Sequence, residues 1–262
     1  MHSAVPPSRR PGLPSRDPFI QVAVSEVGVL VSHGFTGSPA SMLPLARAFA
    51  GAGWNVECPL LSGHGTRWQD LMGVRAEDWL ADLEAALERL KARSRKVFVA
   101  GLSMGGTLAL RLAQTDREIL GVMVINQALV FGHPLVRCAG LLKHLVRSVP
   151  AIASDIKDPA QIEPAYERTP LAGVAEVNRL ARMVKGDFQR LEAPLLVFKS
   201  REDHVLPLRN ATLLMERAAS RDKELVMLEH SYHVATLDYD GDLINRRCVA
   251  FVRRIADRAG RE

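Results

Sequence analysis

Short apolar runs alternate with stretches of helical spacing along most of this 262-residue chain. Residues 27–31 (VGVLV) form a continuous run rich in β-branched side chains, bounded by Ser32-His33-Gly34, which predicts a buried strand. Residues 38–52 place Met42, Leu45 and Phe49 at helical spacing, and Gly51 and Gly53 stop that helix before an extended piece begins at Trp54. Residues 76–93 predict an amphipathic helix with Trp79, Leu83, Leu87 and Leu90 on one face. A strand at 96–100 (KVFVA), a helix at 104–114 and a strand at 119–125 follow. The same rhythm returns with a strand at 194–199 (PLLVFK), a helix at 208–219, a strand at 224–228 and a last helix near 242–258.

Strand–helix alternation of this kind implies an α/β protein: a mostly parallel central sheet with helices on both faces. The rhythm breaks over 132–190. That stretch shows no convincing strand, only helical fragments with polar and prolyl interruptions. It is too long for a simple connection and predicts an inserted helical cap. A cap there would lie over the C-terminal edge of the sheet, where open α/β sheets bind ligands. Glycines at 132 and 186 are the expected hinge positions. The expected organisation is a core made of 19–131 and 191–262, the cap at 132–190, and a leader at 1–18. The leader holds five prolines and three arginines and has no apolar signal-peptide run, so it is expected to be disordered or loosely packed.

Composition narrows the class. Hydrophobic residues make up 47% and charged residues 24%, as in ordinary soluble globular proteins, which excludes wholesale disorder and collagen-like repeats. The apolar run at 119–125 is too short to span a bilayer. Cys58, Cys138 and Cys248 have no CxxC spacing, so they fit neither a disulfide framework nor a zinc site and suit a reducing cytoplasm. The net charge is +5, but residues 1–18 and 251–262 each carry +2, leaving +1 for the body. A basic face for nucleic acid is therefore not expected.

The chemistry gathers at Gly101-Leu102-Ser103-Met104-Gly105, a G-x-S-x-G sequence set between a strand and a helix. That is the setting of a nucleophile elbow, in which the serine sits in a tight turn that needs small neighbours. A serine hydroxyl needs an imidazole to take its proton. His233 follows the last strand by a few residues, and His230 is its near rival; His33 and His64 come too early for the expected chain order. An acid must orient that imidazole. Asp203 follows strand PLLVFK directly, with Glu202, Asp238 and Asp240 as rivals. The order Ser…Asp…His, each just after a predicted strand, is that of α/β-hydrolases. Two backbone N–H groups must hold an oxyanion. Met104 supplies one from a helix start, and Phe35 in the loop Ser32-His33-Gly34-Phe35-Thr36-Gly37 is the expected second.

Taken together, HGFTGSPASM, PLLSGHGT, GLSMGGTLAL, SREDHVLP and SYHVATLDYD resemble the α/β-hydrolase superfamily, and most closely bacterial monoacylglycerol lipases and related small carboxylesterases. The resemblance runs from about residue 27 to 256. It implies Ser103 as nucleophile, His233 as base, Asp203 as acid, and Phe35 and Met104 as oxyanion donors. It also implies a small cap that admits one acyl chain, and an acid in that cap, here Glu163, that binds glycerol hydroxyls.

The expected reaction is a two-step acyl transfer on a lipid ester, with no metal or organic cofactor. Leu135, Val136, Leu141, Leu142, Leu145 and Val146 give the cap apolar surface for an aliphatic tail. The basic and apolar residues near 137–150 also fit transient contact with a micelle or membrane surface. A monomer or homodimer is expected. Short-chain carboxylesterase, thioesterase and acyltransferase are the alternative activities, and a non-catalytic binding protein would require a missing triad member.

Overall fold

A computed structural model describes residues 15–132, 136, 138–151 and 154–260 of the chain. Residues 1–14 of the expected leader, and Leu135 of the expected cap surface, lie outside the described residues. The seven-stranded sheet contains β1 (Phe19–Gln21), β2 (Val27–Ser32), β3 (Asn55–Cys58), β4 (Lys96–Leu102), β5 (Ile119–Ile125), β8 (Leu195–Ser200) and β9 (Lys223–Leu228) in the spatial order β1-β3-β2-β4-β5-β8-β9. Every neighbouring pair is parallel except β1 and β3, which are antiparallel.

The two faces of each strand feed two different core layers, as a side-chain period of two requires. Val29, Phe98 and Phe198 face helices α1 (Leu43–Gly51) and α7 (Gly241–Arg258), meeting Phe49, Ile244 and Phe251. Leu30, Val99 and Val197 face the opposite layer. That layer comprises α2 (Ala76–Lys91), α3 (Met104–Thr115) and α6 (Arg209–Arg217), through Trp79, Leu83, Leu108 and Leu214. Each fully buried side chain of this size contributes roughly 1.5–3 kcal/mol. The predicted face of α2 is the buried one: Trp79, Leu83 and Leu90 have no exposed area and Leu87 is 2% exposed.

The insertion between β5 and β8 departs from the sequence expectation in one respect. Besides α4 (Ala139–Leu142) and α5 (Leu171–Gly186), it carries a two-stranded antiparallel sheet, β6 (Ser148–Pro150) against β7 (Arg168–Pro170). Three-residue strands that each end in proline are too short to show alternation. Helix α5 packs on α3 through Val177, Leu180 and Val184, which anchors the C-terminal half of the insertion to the sheet's helical layer. Val136 and Leu142 turn inward with Ala139, Leu171 and Val174 against Phe35. Leu141 and Leu145 face outward instead, at 78% and 84% exposed.

Candidate active site

Ser103 stands between the end of β4 and the first turn of α3, with φ 56° and ψ −117°. Non-glycine residues rarely adopt this backbone geometry, and it is held by surrounding bonds. The Ser103 N–H donates to the Ile125 carbonyl at 2.9 Å, and the Ser103 carbonyl accepts from the Thr107 and Ala128 N–H groups, each at 3.2 Å. The flanking glycines are required by space. A Cβ on Gly101 would lie 2.3 Å from the Gly105 backbone, and one on Gly105 would lie 2.3 Å from the Ser32 carbonyl oxygen.

His233 and Asp203, thirty residues apart in sequence, meet in a bidentate contact. The His233 Nδ1 lies 3.0 Å from Asp203 Oδ2 and 3.1 Å from Oδ1. Asp203 Oδ1 also accepts the Val205 and Leu206 N–H groups, at 2.9 and 2.8 Å. Its Oδ2 accepts from the ammonium of Lys199, which donates as well to the Leu206 carbonyl at 2.8 Å. Burial pushes the Asp203 carboxyl up, but His233 and Lys199 beside it outweigh burial and hold it well below the usual carboxylate range. An ionised carboxylate on Nδ1 leaves Nε2 free to accept a proton.

The end of β5 ties the nucleophile and base loops together. Ile125 holds Ser103, and the next residue, Asn126 (φ 46°), donates from Nδ2 to the His233 carbonyl at 2.8 Å. The rival residues have other partners. His230 is exposed. Glu202 pairs with Lys157 at 3.0 Å. Asp240 accepts the His230 N–H. Asp238 accepts the Tyr232, Lys157 and Asp158 N–H groups.

The loop after β2 closes over the serine. A Cβ on Gly34 would sit 3.4 Å from the Ser103 Cβ. A bond from the Gly37 N–H to the Gly34 carbonyl, 3.3 Å, makes Phe35 and Thr36 (φ 65°) the centre of a turn. Two buried histidines fix this loop. His64 Nε2 accepts the Thr36 N–H at 3.2 Å, and His33 Nε2 accepts the Leu61 N–H at 3.2 Å. Their Nδ1 atoms accordingly carry the protons and donate to the Ser62 and Gly34 carbonyls. Burial lowers His33 to about 3, helped by its neighbour His64, and lowers His64 to about 4, so both are neutral. On the other side of Ser103, Met104 is the first residue of α3, where N–H groups have no intrahelical acceptor. Met104 thus follows Ser103 directly at the helix start, and the loop that carries Phe35 lies against Ser103 through Gly34.

Glu163 comes from the cap segment 154–163 and reaches the same place. Its Oε1 would be 2.7 Å from a Cβ on Gly37, it bonds the Ser41 side chain, and it lies within electrostatic reach of His233. Burial pushes its carboxyl up to about 7, against the opposing pull of His233 and Ser41. Asp155, in the same segment, accepts the His233 N–H at 3.1 Å and the His204 ring at 2.7 Å. Among the described residues, no cluster of three or more His, Cys, Asp or Glu side chains is arranged to hold a metal ion.

The structure brings Asp203 onto His233, sets Gly34 beside Ser103, and places Glu163 against Gly37 within electrostatic reach of His233; Lys199, Asn126, Asp155, His33 and His64 hold these groups and loops. The two histidines carry one signal in the sequence: each is followed by glycine in a loop, where a neutral imidazole can serve the backbone. Nothing in the sequence around Lys199 or Asp155 marks them.

The chain matches known proteins along most of its length. The family model described as serine aminopeptidase, S33, matches residues 25–240. A thermostable monoacylglycerol lipase from a Bacillus species is 43% identical over 248 residues, covering 94% of this chain and 98% of its own. A carboxylesterase from Bacillus subtilis is 29% identical over 231 residues, covering 87% of this chain and 92% of its own. A solved structure from a study of the metagenome-derived lipolytic enzymes LipS and LipT superposes with a TM-score of 0.89 at 42% identity, covering 92% of this chain and 99% of that one. The chain belongs to the serine aminopeptidase S33 family and has the α/β-hydrolase fold.

Proposed function

We propose that this protein is a serine esterase that hydrolyses monoacylglycerols through an acyl-enzyme intermediate on Ser103. His233 takes the Ser103 proton as Oγ attacks the ester carbonyl. The N–H groups of Phe35 and Met104 hold the oxyanion; losing one such donor typically costs about 3 kcal/mol of barrier. The intermediate collapses, the C–O bond to glycerol breaks, and His233 passes its proton to the departing alkoxide. Water then attacks the acyl-enzyme, with His233 again as base, and releases the fatty acid and the free serine.

The observation that carries the substrate reading is the position of Glu163. A carboxylate from the cap, against Gly37 and Ser41 and within electrostatic reach of His233, is where the alcohol half of an ester would leave. Glycerol hydroxyls can donate to it. The acyl half has an apolar wall in Phe35, Ala139, Leu171 and Val174. The full-length similarity to a monoacylglycerol lipase supports the same reading. Exposed Leu141, Leu145 and Val146 give the cap an outward apolar face, and brief contact with a micelle or lipid surface through that face is part of the proposal. No helix among the described residues is long and apolar enough to cross a membrane. The buried, unpaired thiols of Cys58 and Cys248 fit a reducing compartment.

A general carboxylesterase is the second reading, favoured by the Bacillus subtilis relative. Hydrolysis of 1-monoacylglycerols of increasing chain length, beside ethyl esters of the same acids, separates the two. The monoacylglycerol reading expects a preference for glycerol over ethanol as leaving group that shrinks at least about tenfold in Glu163→Ala, the worth of one hydrogen bond to a charged group. Equal turnover of both ester series, unchanged in Glu163→Ala, would leave a general esterase.

A further inference from the structure

Strand β8 is buried along its whole length, yet its fifth residue is a lysine. The Lys199 side chain is 1% exposed, and so is that of its partner Asp203. Removing an ammonium from water is costly unless it is paired and hydrogen-bonded. Here the pairing falls on the carboxylate that holds the candidate base. The carboxylate's contacts are full: two backbone N–H groups on Oδ1, the ammonium on Oδ2, and His233 Nδ1 across both. The second ammonium bond, to the Leu206 carbonyl, fixes Lys199 to the loop that carries Asp203.

Two consequences follow from this placement. The ammonium prevents the carboxylate from turning away from His233. It also offsets part of the negative charge that would otherwise act on the imidazole. The other charged groups around the triad are mainly acidic. Segment 154–163 contributes Asp155, bonded to the His233 N–H, and Glu163, within electrostatic reach of His233. The acid loop contributes Glu202, paired with Lys157, and His204, paired with Asp155. The base loop contributes Asp238 and Asp240, both engaged by backbone N–H groups. Lys199 sets a buried positive charge against this field.

We propose that Lys199 is a positioning residue of the triad, whose ammonium both orients Asp203 and limits how strongly that carboxylate favours a protonated His233. The inference rests on the triad reading above. Its test uses Lys199→Met, which removes charge and hydrogen bonds, and Lys199→Gln, which keeps N–H donors without charge. Two readouts are followed against pH: kcat/KM on a soluble ester, and the rate at which a fluorophosphonate probe labels Ser103.

With the ammonium gone, the imidazole keeps its proton to higher pH. The acid limb of both profiles therefore moves up by about half to one pH unit in both variants. The plateau of kcat/KM falls about tenfold in Lys199→Met and is largely restored in Lys199→Gln. A purely structural lysine would lower the melting temperature and leave the limb in place. An acid limb that stays at the wild-type pH, or moves down, overturns the proposal, and if Lys199→Met does not fold the Lys199→Gln limb alone decides. A Lys199→Gln plateau as low as that of a folded Lys199→Met overturns the orienting role. Failure of the triad reading looks different: the unsubstituted protein would not be labelled at Ser103 at any pH.

Discussion

Glu163 and His233 share a corner of the site but differ in what each needs from it. His233 is held by Asp203 on one side, while Glu163 has Ser41 and little else to offset burial. Its carboxyl is pushed up to about 7, so it is protonated across much of the acidic range in the folded chain and ionised there in the unfolded one. The folded state therefore binds the extra proton between the ordinary glutamate value and about 7, and stability falls as pH rises through that window. Glu163→Gln removes the effect. Its expected outcome is a higher melting temperature than wild type at pH 8, equivalent to at most about 3 kcal/mol, with no gain at pH 4. Thermal melts at the two pH values check it, and an equal shift at both would contradict the burial argument. At this scale the sequence was informative where order along the chain carried meaning. Ser103, Asp203 and His233 each follow a strand, so their common placement at one edge of the sheet is legible, as is the contact of Asp203 with His233. Lys199 was not, because a lysine at the end of an apolar strand reads as an exposed terminus, and only the fold shows that Asp203 turns back over it.

Among the elements, helix α5 of the insertion fits closely against the loop after β2. A Cβ on Gly173 would lie 2.5 Å from the Phe35 ring, which also packs edge-on against Trp79 with centroids 5.8 Å apart. Phe35 supplies a backbone donor to the proposed oxyanion site, so displacing its ring displaces that donor. Gly173→Ala is expected to lower kcat on a short soluble ester by about tenfold, with the melting temperature changed by only a few degrees, the ordinary consequence of overpacking by one methyl. Steady-state kinetics beside a thermal melt separate the two effects, and unchanged kcat would mean that Phe35 and α5 are not coupled. By contrast, Gly101→Ala meets the Gly105–Gly106 backbone across the elbow and is expected to give little folded protein on expression. The strand–helix alternation predicted nearly every core element within two or three residues. It missed β1 and the β6–β7 pair because three-residue strands are made by their partners, not by their own pattern. It also gave no hint that α5 belongs to the core layer as much as to the cap.

For the whole molecule, the two neutral histidines under the oxyanion loop couple stability to pH. His33 and His64 titrate near 6.5 in an unfolded chain but are lowered to about 3 and about 4 by burial in the folded one. Their contribution is complete above pH 6.5 and is lost as pH falls toward those folded values, because the unfolded chain takes up protons that the folded chain refuses. Each histidine contributes about 1.4 kcal/mol per pH unit within its window. The melting temperature is expected to fall steadily from pH 6.5 to pH 4.5, and less steeply in His64→Gln, which starts from a lower value at pH 7.5. A flat profile in the unsubstituted protein would mean that these imidazoles charge without cost. The strand–helix alternation and the structure agree at this scale on a large, mostly parallel sheet, and no helix among the described residues is long and apolar enough to cross a membrane.

The central claim is that Ser103 becomes acylated by a lipid ester and is then freed by water. Rapid-quench mass spectrometry of the protein during turnover of a medium-chain 1-monoacylglycerol tests it most directly. The predicted result is a transient mass increase equal to the acyl group, located on the peptide that contains Ser103. It should be absent in Ser103→Ala, which also loses hydrolysis by at least about a thousandfold. Hydrolysis that persists in Ser103→Ala, or an acyl group found on another residue, would contradict the account.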